Sequence, residues 1–251
     1  MKSQLVFVWL SALAFVTTSC GPMIYSNVGQ NVPLFTEKGQ ANLSTGLGLT
    51  ESSVGFQLQG AIAPGDRVAV ISSINFLAGS DSWSWDWNAF YADVGVGTFG
   101  KSGNSKFVWE VFGGIGVGSI SNSDTYYGEY LNVDYIKPFV QPSFGFKHKV
   151  VEFAFTPRIG LVHFTSYDSN AITYSYDYED EVPFEFLISE KRTNFAFEPG
   201  FMIRVGKKVK FQYQLNITSI GYGGYYEEAS QNLYMSFGAT FSWSEVMKKK
   251  N

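Results

Sequence analysis

The sequence predicts an all-β fold, a closed antiparallel up-and-down transmembrane β-barrel of about ten strands, and three observations carry that expectation. The first is the stretch Asn232 to Trp243, where Leu233, Met235, Phe237, Ala239, Phe241 and Trp243 alternate with smaller or more polar residues. A period of two is a strand signal. One side of this strand is too aromatic for an exposed soluble edge and the other, with Ser236, Gly238, Thr240 and Ser242, is too polar for a sandwich core. The apolar side is therefore assigned to lipid and the polar side to a lumen. The second observation is composition: 18% aromatic residues and 26 glycines, with near-neutral mean hydropathy, which hides an alternating pattern from a windowed search. The third is the connections, in which tight turns alternate with mostly long ones, the short one around Glu51-Ser52-Ser53 being the exception.

The front of the chain reads as an export signal. Lys2 is followed by the apolar run Leu5 to Val16, which is too short for a ~20-residue spanning helix and has the layout of a secretory leader. Cys20, the single cysteine, follows Thr17-Thr18-Ser19 and precedes Gly21. This arrangement resembles the cleavage site of bacterial lipoproteins, and the resemblance implies lipidation of Cys20. A single cysteine permits no intramolecular disulfide, so stability must come from ladder hydrogen bonds and lipid burial. Residues 1–19 are read as the signal peptide, 20–38 as a tether without sustained period, 39–243 as the barrel and 244–251 as a periplasmic tail. No linker or change of composition divides the chain after residue 40, so the barrel is one domain.

Strands are expected near 40–50, 53–63, 67–77, 87–99, 105–119, 133–147, 150–165, 193–206, 209–219 and 231–243. Most reach the ~9–11 residues that a tilted strand needs to cross a membrane. Pro64-Gly65-Asp66, Lys101 to Asn104, His148-Lys149 and Gly206-Lys207-Lys208 are tight turns, and each follows every second strand. Outer-membrane barrels carry short periplasmic turns and long external loops. That parity puts both termini in the periplasm. Pro142, Pro157 and Pro199 fall mid-strand, where each lacks a ladder donor, and bulges or seams are expected there.

Pleat alternation assigns Val54, Phe56, Leu58 and Ile62 to lipid and Gln57 and Gln59 to the lumen, whose charged inventory is Asp93, Glu110, Glu152, Arg158, Glu198, Arg204 and Lys210. Opposite residues in an antiparallel ladder share a constant index sum. The sum that opposes Glu152 and Arg204 also opposes Arg158 and Glu198, and it sets Phe155 by Phe201, Phe153 by Ile203 and Ile159 by Phe197. Directly opposed pairs contribute roughly 0.2–1 kcal/mol each. These side chains are read as a mutually satisfied filling of a narrow barrel.

The closing strand resembles that of bacterial outer-membrane barrels: Ser236, Gly238, Phe241 and Trp243 match the polar, glycine, hydrophobic and aromatic positions of the assembly signal, which implies recognition by the barrel-assembly machinery. The stretches Asn31 to Ser44 and Gly55 to Pro64 are similar to small outer-membrane barrel lipoproteins of Bacteroidetes-type Gram-negative bacteria, a resemblance that implies fold and location and is nearly silent on activity. His163-Phe164-Thr165 faintly resembles the His-x-Ser of outer-membrane lipid A deacylases, with threonine in place of the nucleophilic serine.

No metal-ligand cluster, phosphate loop or nucleophile elbow occurs in the sequence, no cofactor is expected, and a net charge of -4 without a basic groove argues against nucleic acid. The long connections Asp81 to Trp87, Asp124 to Tyr130, Tyr174 to Glu181 and Tyr222 to Glu228 are all acidic and aromatic, whereas the inner turns carry lysines. Asp177, Glu179, Asp180 and Glu181 lie within five positions, and a hard divalent cation would relieve their repulsion. The aromatic rings of the same loops are suited to glycans. The expected function is a non-enzymatic outer-membrane barrel with a structural or surface-binding role. The alternatives are a lipid-modifying enzyme, or a soluble lipocalin-like binder with its apolar residues facing inward.

Overall fold

The computed structural model describes residues 22–81, 84–103, 106–175, 180–221 and 230–243. Ten antiparallel strands close into one barrel: β1 (Ala41–Leu49), β2 (Ser53–Ile62), β3 (Val68–Ser80), β4 (Trp85–Lys101), β5 (Phe107–Asp124), β6 (Tyr130–Lys147), β7 (Val151–Ser169), β8 (Thr193–Gly206), β9 (Val209–Ile217) and β10 (Leu233–Trp243). Each pairs with the next, and β10 returns to β1 with Trp243 opposite Ala41 and Met235 opposite Leu49. Closure removes the unpaired edges of an open sheet, which lipid could not hydrogen-bond. Residues 1–19, expected to be a signal peptide, Cys20 and the expected tail at 244–251 lie outside the described residues.

One end of the barrel carries the tight turns. The His148 amide donates to the Val151 carbonyl (2.9 Å), and Gly206 closes the β8–β9 turn at φ 144, with an added Cβ only 2.2 Å from the Val209 carbonyl oxygen. The other end carries the two long connections, after β7 and after β9, beside three that are as short as the turns, at 50–52, 81–84 and 125–129. In the one after β7, Ile172–Ser175 and Asp180–Pro183 form a short hairpin and Phe184–Glu190 forms helix α1. Strands β4 to β7 are 17, 18, 18 and 19 residues long, well beyond the crossing length, and their surplus rises at the loop end. There Trp85 pairs with Asp124 and Leu131 with Ser169. Parts of the expected external loops at 81–87 and 124–130 are thus ladder, with Trp85 and Trp87 buried toward the lumen rather than displayed.

The exterior is apolar along every strand: Leu47, Phe56, Phe76, Val94, Val96, Ile115, Phe211 and Phe241 are all exposed. The apolar side faces outward, which excludes the lipocalin-like arrangement. Val94, near the middle of β4 and opposite Ile115, tests this face. Val94→Arg is expected to destabilise the barrel in lipid vesicles by about 2–4 kcal/mol, against ~0–1 kcal/mol for Phe107→Arg at the turn end, as read by urea unfolding. Equal costs at the two depths would remove the lipid assignment.

The prolines lie in one row. Pro142 stands opposite Val111 and Pro157 opposite Pro199, while the β6–β7 ladder is interrupted between the pairs Val140–Ile159 and Phe144–Phe155. Side chains bridge this seam, with Ser143 Oγ 2.8 Å from Thr156 Oγ1 and Thr156 Oγ1 donating to the Pro142 carbonyl at 3.3 Å. Hydroxyls here replace the amide donors that proline lacks.

The largest departure from the sequence reading is the segment before β1. Residues 22–35, within the stretch 20–38 expected to be a tether, are buried without exception and run through the lumen. Only Tyr25–Ser26 forms a ladder, parallel to Ser230–Gln231. Met23 lies at the loop end beside Asn122, and Phe35 lies at the turn end beside Glu110. Trp243, opposite Ala41, is also at the turn end, so the two described chain ends are at opposite mouths and not on one side as the strand parity implied. Parity counts strands and is blind to a chain that crosses once more inside them.

Candidate functional site: a lumen filled by the chain's own N-terminal segment

The wall of the barrel substitutes side-chain amides for the missing ladder around this plug. Asn122 brackets Met23, accepting its N–H at 2.7 Å and donating to its carbonyl at 2.9 Å. Asn216 donates to the Val28 carbonyl (3.2 Å), Gln214 to Gln30 (2.7 Å), Gln141 to Asn31 (2.8 Å), Asn42 to Pro33 (2.7 Å) and Lys147 Nζ to Leu34 (2.6 Å). In return Gln30 Nε2 donates to the Glu198 carbonyl (2.7 Å), and Asn31 Nδ2 to those of Gly60 and Ser72 (2.8 and 3.0 Å). A backbone sealed from water needs a partner for each polar group. Asparagine and glutamine on the inward side of the strands supply them.

The filling is layered along the axis. At the loop end Met23, Ile24 and Tyr25 join Trp85, Trp87, Leu131 and Phe164 in an apolar cluster. Toward the turn end, Phe35 packs with Ile71, Phe99 and Phe112, its ring 5.8 Å from that of Phe99. Glycines on the inward side of β5 make room for the rings: a Cβ on Gly116 would lie 2.2 Å from the Tyr91 hydroxyl, and one on Gly118 would lie 2.1 Å from Tyr135.

Between the apolar layers sits a central charge cluster. Lys137 Nζ is 3.1 Å from Glu198 and donates to the Tyr25 hydroxyl at 2.7 Å, and Tyr25 in turn donates to Glu198. Lys137 also lies over the Tyr91 ring at 4.6 Å. Arg158 pairs with Asp93 at 3.1 Å, donates to Gln141 and lies over the Phe139 ring at 4.4 Å. Two cations and two carboxylates give the cluster no net charge, and the ion-paired side chains are at most 3% exposed. A second cluster at the turn end joins Glu152 to Lys210 and to Arg204 (3.6 Å), and Glu110 accepts the Phe35 amide at 2.7 Å.

The β7–β8 ladder opposes Glu152 to Arg204, Arg158 to Glu198, Phe155 to Phe201, Phe153 to Ile203 and Ile159 to Phe197. Side chains follow that register only in part. Glu152 does engage Arg204, whereas Arg158 and Glu198 turn away from each other to Asp93 and Lys137. Each thereby gains a partner on a more distant strand or on the plug, which neighbours on one ladder could not provide. Lys137 is the functional residue that the sequence reading missed. It lies in Tyr135-Ile-Lys-Pro-Phe139, where aromatic side chains on the lumen side blur the alternation that marked the other charged positions.

The closing-strand residues divide by face. Ser236 is buried and accepts from Gln57 Nε2 at 2.9 Å, Gly238 opposes Gly46, and Phe241 and Trp243 are exposed on the lipid side. His163 and Thr165 each have a partner of their own. His163 Nδ1 is 2.7 Å from Thr193 Oγ1, and Thr165 Oγ1 donates to the Asp134 carbonyl at 3.2 Å. Asp177 and Glu179 lie outside the described residues, as do the side chains of Asp180 and Glu181. Among the described residues no group of three His, Cys, Asp or Glu side chains is placed to hold a metal ion.

No protein-family model matches the chain, and no curated protein sequence does. Solved structures do resemble it. The translocator domain of autotransporter NalP from Neisseria meningitidis aligns with a TM-score of 0.46 at 9% identity, covering 84% of this chain and 90% of that one. A major outer membrane protein from Thermus thermophilus aligns with a TM-score of 0.40 at 10% identity, over 82% of this chain and all (100%) of that one. OmpT, an outer membrane protein of Vibrio cholerae, in a form lacking loop L8, gives 0.28 at 6% identity, over 81% of this chain and 98% of its own length. The chain's own geometry gives the fold: a closed ten-stranded antiparallel β-barrel with an apolar exterior.

Proposed function

We propose that this chain is a self-plugged outer-membrane barrel of a Gram-negative envelope, without enzymatic activity, whose role is structural or surface-binding. The observation that carries the reading is the burial of residues 22–35 inside the ring, with their carbonyls taken up by wall amides. A barrel built to pass solute would leave its axis open, whereas this one closes it at two apolar layers and one neutral charge cluster. In this reading the tight turns face the periplasm, the longer connections face outward, Cys20 carries a lipid, and the assembly machinery recognises Ser236, Gly238, Phe241 and Trp243. The outward end offers rings to partners such as glycans: Tyr126 and Tyr127 are 79% and 76% exposed and meet edge to face at 4.8 Å. Weak divalent-cation binding at Asp177 to Glu181 belongs to the same surface.

Planar-bilayer recording tests the closed state. The full chain is expected to insert without steady current, and a variant lacking residues 22–35 to give long-lived open steps. Steady conductance from the full chain would overturn the reading.

A further inference from the structure

The direction in which the plug crosses the lumen fixes where the chain before it must go. Met23 is held by Asn122, two residues from the loop end of β5, and Phe35 by Glu110, near the turn end of the same strand. The two wall residues are twelve positions apart on one strand, more than the ~9–11 residues with which a tilted strand crosses a membrane. The segment therefore crosses the whole membrane and does not merely cap one mouth. It has no way back. A return strand would have to pass the central layer, where Tyr25 and Asn27 are 0% exposed and Lys137 and Arg158 are fully buried. A side chain as small as a Cβ on Gly29 would already stand 2.0 Å from Gln57 Oε1.

We infer that the chain preceding Pro22 leaves the barrel through the loop-bearing mouth, so that the protein conducts its own N-terminal side to the outer face of the membrane and keeps the C-terminal side of β10 at the periplasmic face. The inference rests on the proposed orientation, with loops outward. It reverses the expectation of two periplasmic termini, and a lipid on Cys20, two positions before Pro22, would then enter the outer leaflet instead of the inner one.

The test places a short epitope between Gly21 and Pro22 and, in separate variants, a cysteine at Tyr127 in the β5–β6 connection or at Lys149 in a tight turn. Antibody binding and impermeant maleimide labelling are compared on intact and lysed cells, with the unsubstituted chain as blank. The expected result is full epitope and Tyr127→Cys signal on intact cells and at least a tenfold rise for Lys149→Cys on lysis. Tyr127→Cys labelled with the epitope hidden until lysis overturns the inference and leaves the orientation intact. Lys149→Cys labelled on intact cells with Tyr127→Cys protected overturns the orientation and the inference with it. Should the insertion block assembly, the pair Met23→Cys and Asn122→Cys replaces it: a cross-link in the assembled, Tyr127-accessible barrel supports the inference, and its absence there overturns it.

Discussion

Glu198→Ala is expected to destabilise the folded barrel by about 3–5 kcal/mol, because it strands the Lys137 ammonium in an interior with no other carboxylate in contact. The side chains of the pair are 0% and 3% exposed, so water cannot take over the lost role. Tyr25 also loses the acceptor for its hydroxyl, which couples the loss to the plug. Removing both charges tells a different story. Lys137→Met with Glu198→Leu leaves no uncompensated ion, and replacing a buried pair by apolar residues of similar volume is often neutral or better. Urea unfolding in detergent of the two singles and the double closes a mutant cycle. The double variant should recover most of the single loss. Additive costs, or a Glu198→Ala barrel within about 1 kcal/mol of the parent, would show that the central cluster is not a coupled unit.

Gly29→Trp is expected to have the larger functional effect, converting a silent barrel into a conducting one. Gly29 passes between Gln57 and Gln214, whose Oε1 atoms would lie 2.0 and 2.9 Å from an added Cβ. Those amides are engaged, Gln57 with Ser236 and Tyr234 and Gln214 with the Gln30 carbonyl. Shifting them for alanine costs those three hydrogen bonds at most, at ~0.5–1.5 kcal/mol each. An indole cannot be housed by such a shift, so residues 22–35 must leave the axis. Open steps should then appear in planar bilayers with Gly29→Trp and not with Gly29→Ala, while heat-modifiable gel mobility reports that both barrels have closed. A closed Gly29→Trp barrel without current would mean that the plug tolerates displacement at this point.

How much of this was legible in the sequence follows from what each residue touches. Strand periods show in the chain because one side of every strand meets lipid and the other meets polar groups, as in Val209 to Ile217 with its inward Lys210, Gln212, Gln214 and Asn216. The plug shows no period because wall surrounds it on all sides, so neither side of the segment is selected for one solvent. Its excess of apolar residues, with Met23, Ile24, Tyr25, Val28, Val32, Leu34 and Phe35 among fourteen positions, was the available sign that it is no solvated tether. The index sum of β7 and β8 could be read from charge and ring pairs. The partner of Arg158 could not, because Asp93 lies 65 positions away across the lumen and only closure of the ring brings the two together.

The plug also dictates an order of events. Residues 22–35 precede β1, and β1 forms the closing seam with β10, the last strand to be made. A ring already sealed would have to admit a chain end carrying Met23, Ile24 and Tyr25 through a bore that those residues fill. A sheet still open along the β1–β10 seam could instead wrap around the segment sideways. Ser44 and Thr240, whose hydroxyls meet at 2.8 Å across that seam, would then be among the last native contacts to form. On this route the N-terminal segment is enclosed as the seam zips, not threaded in afterwards.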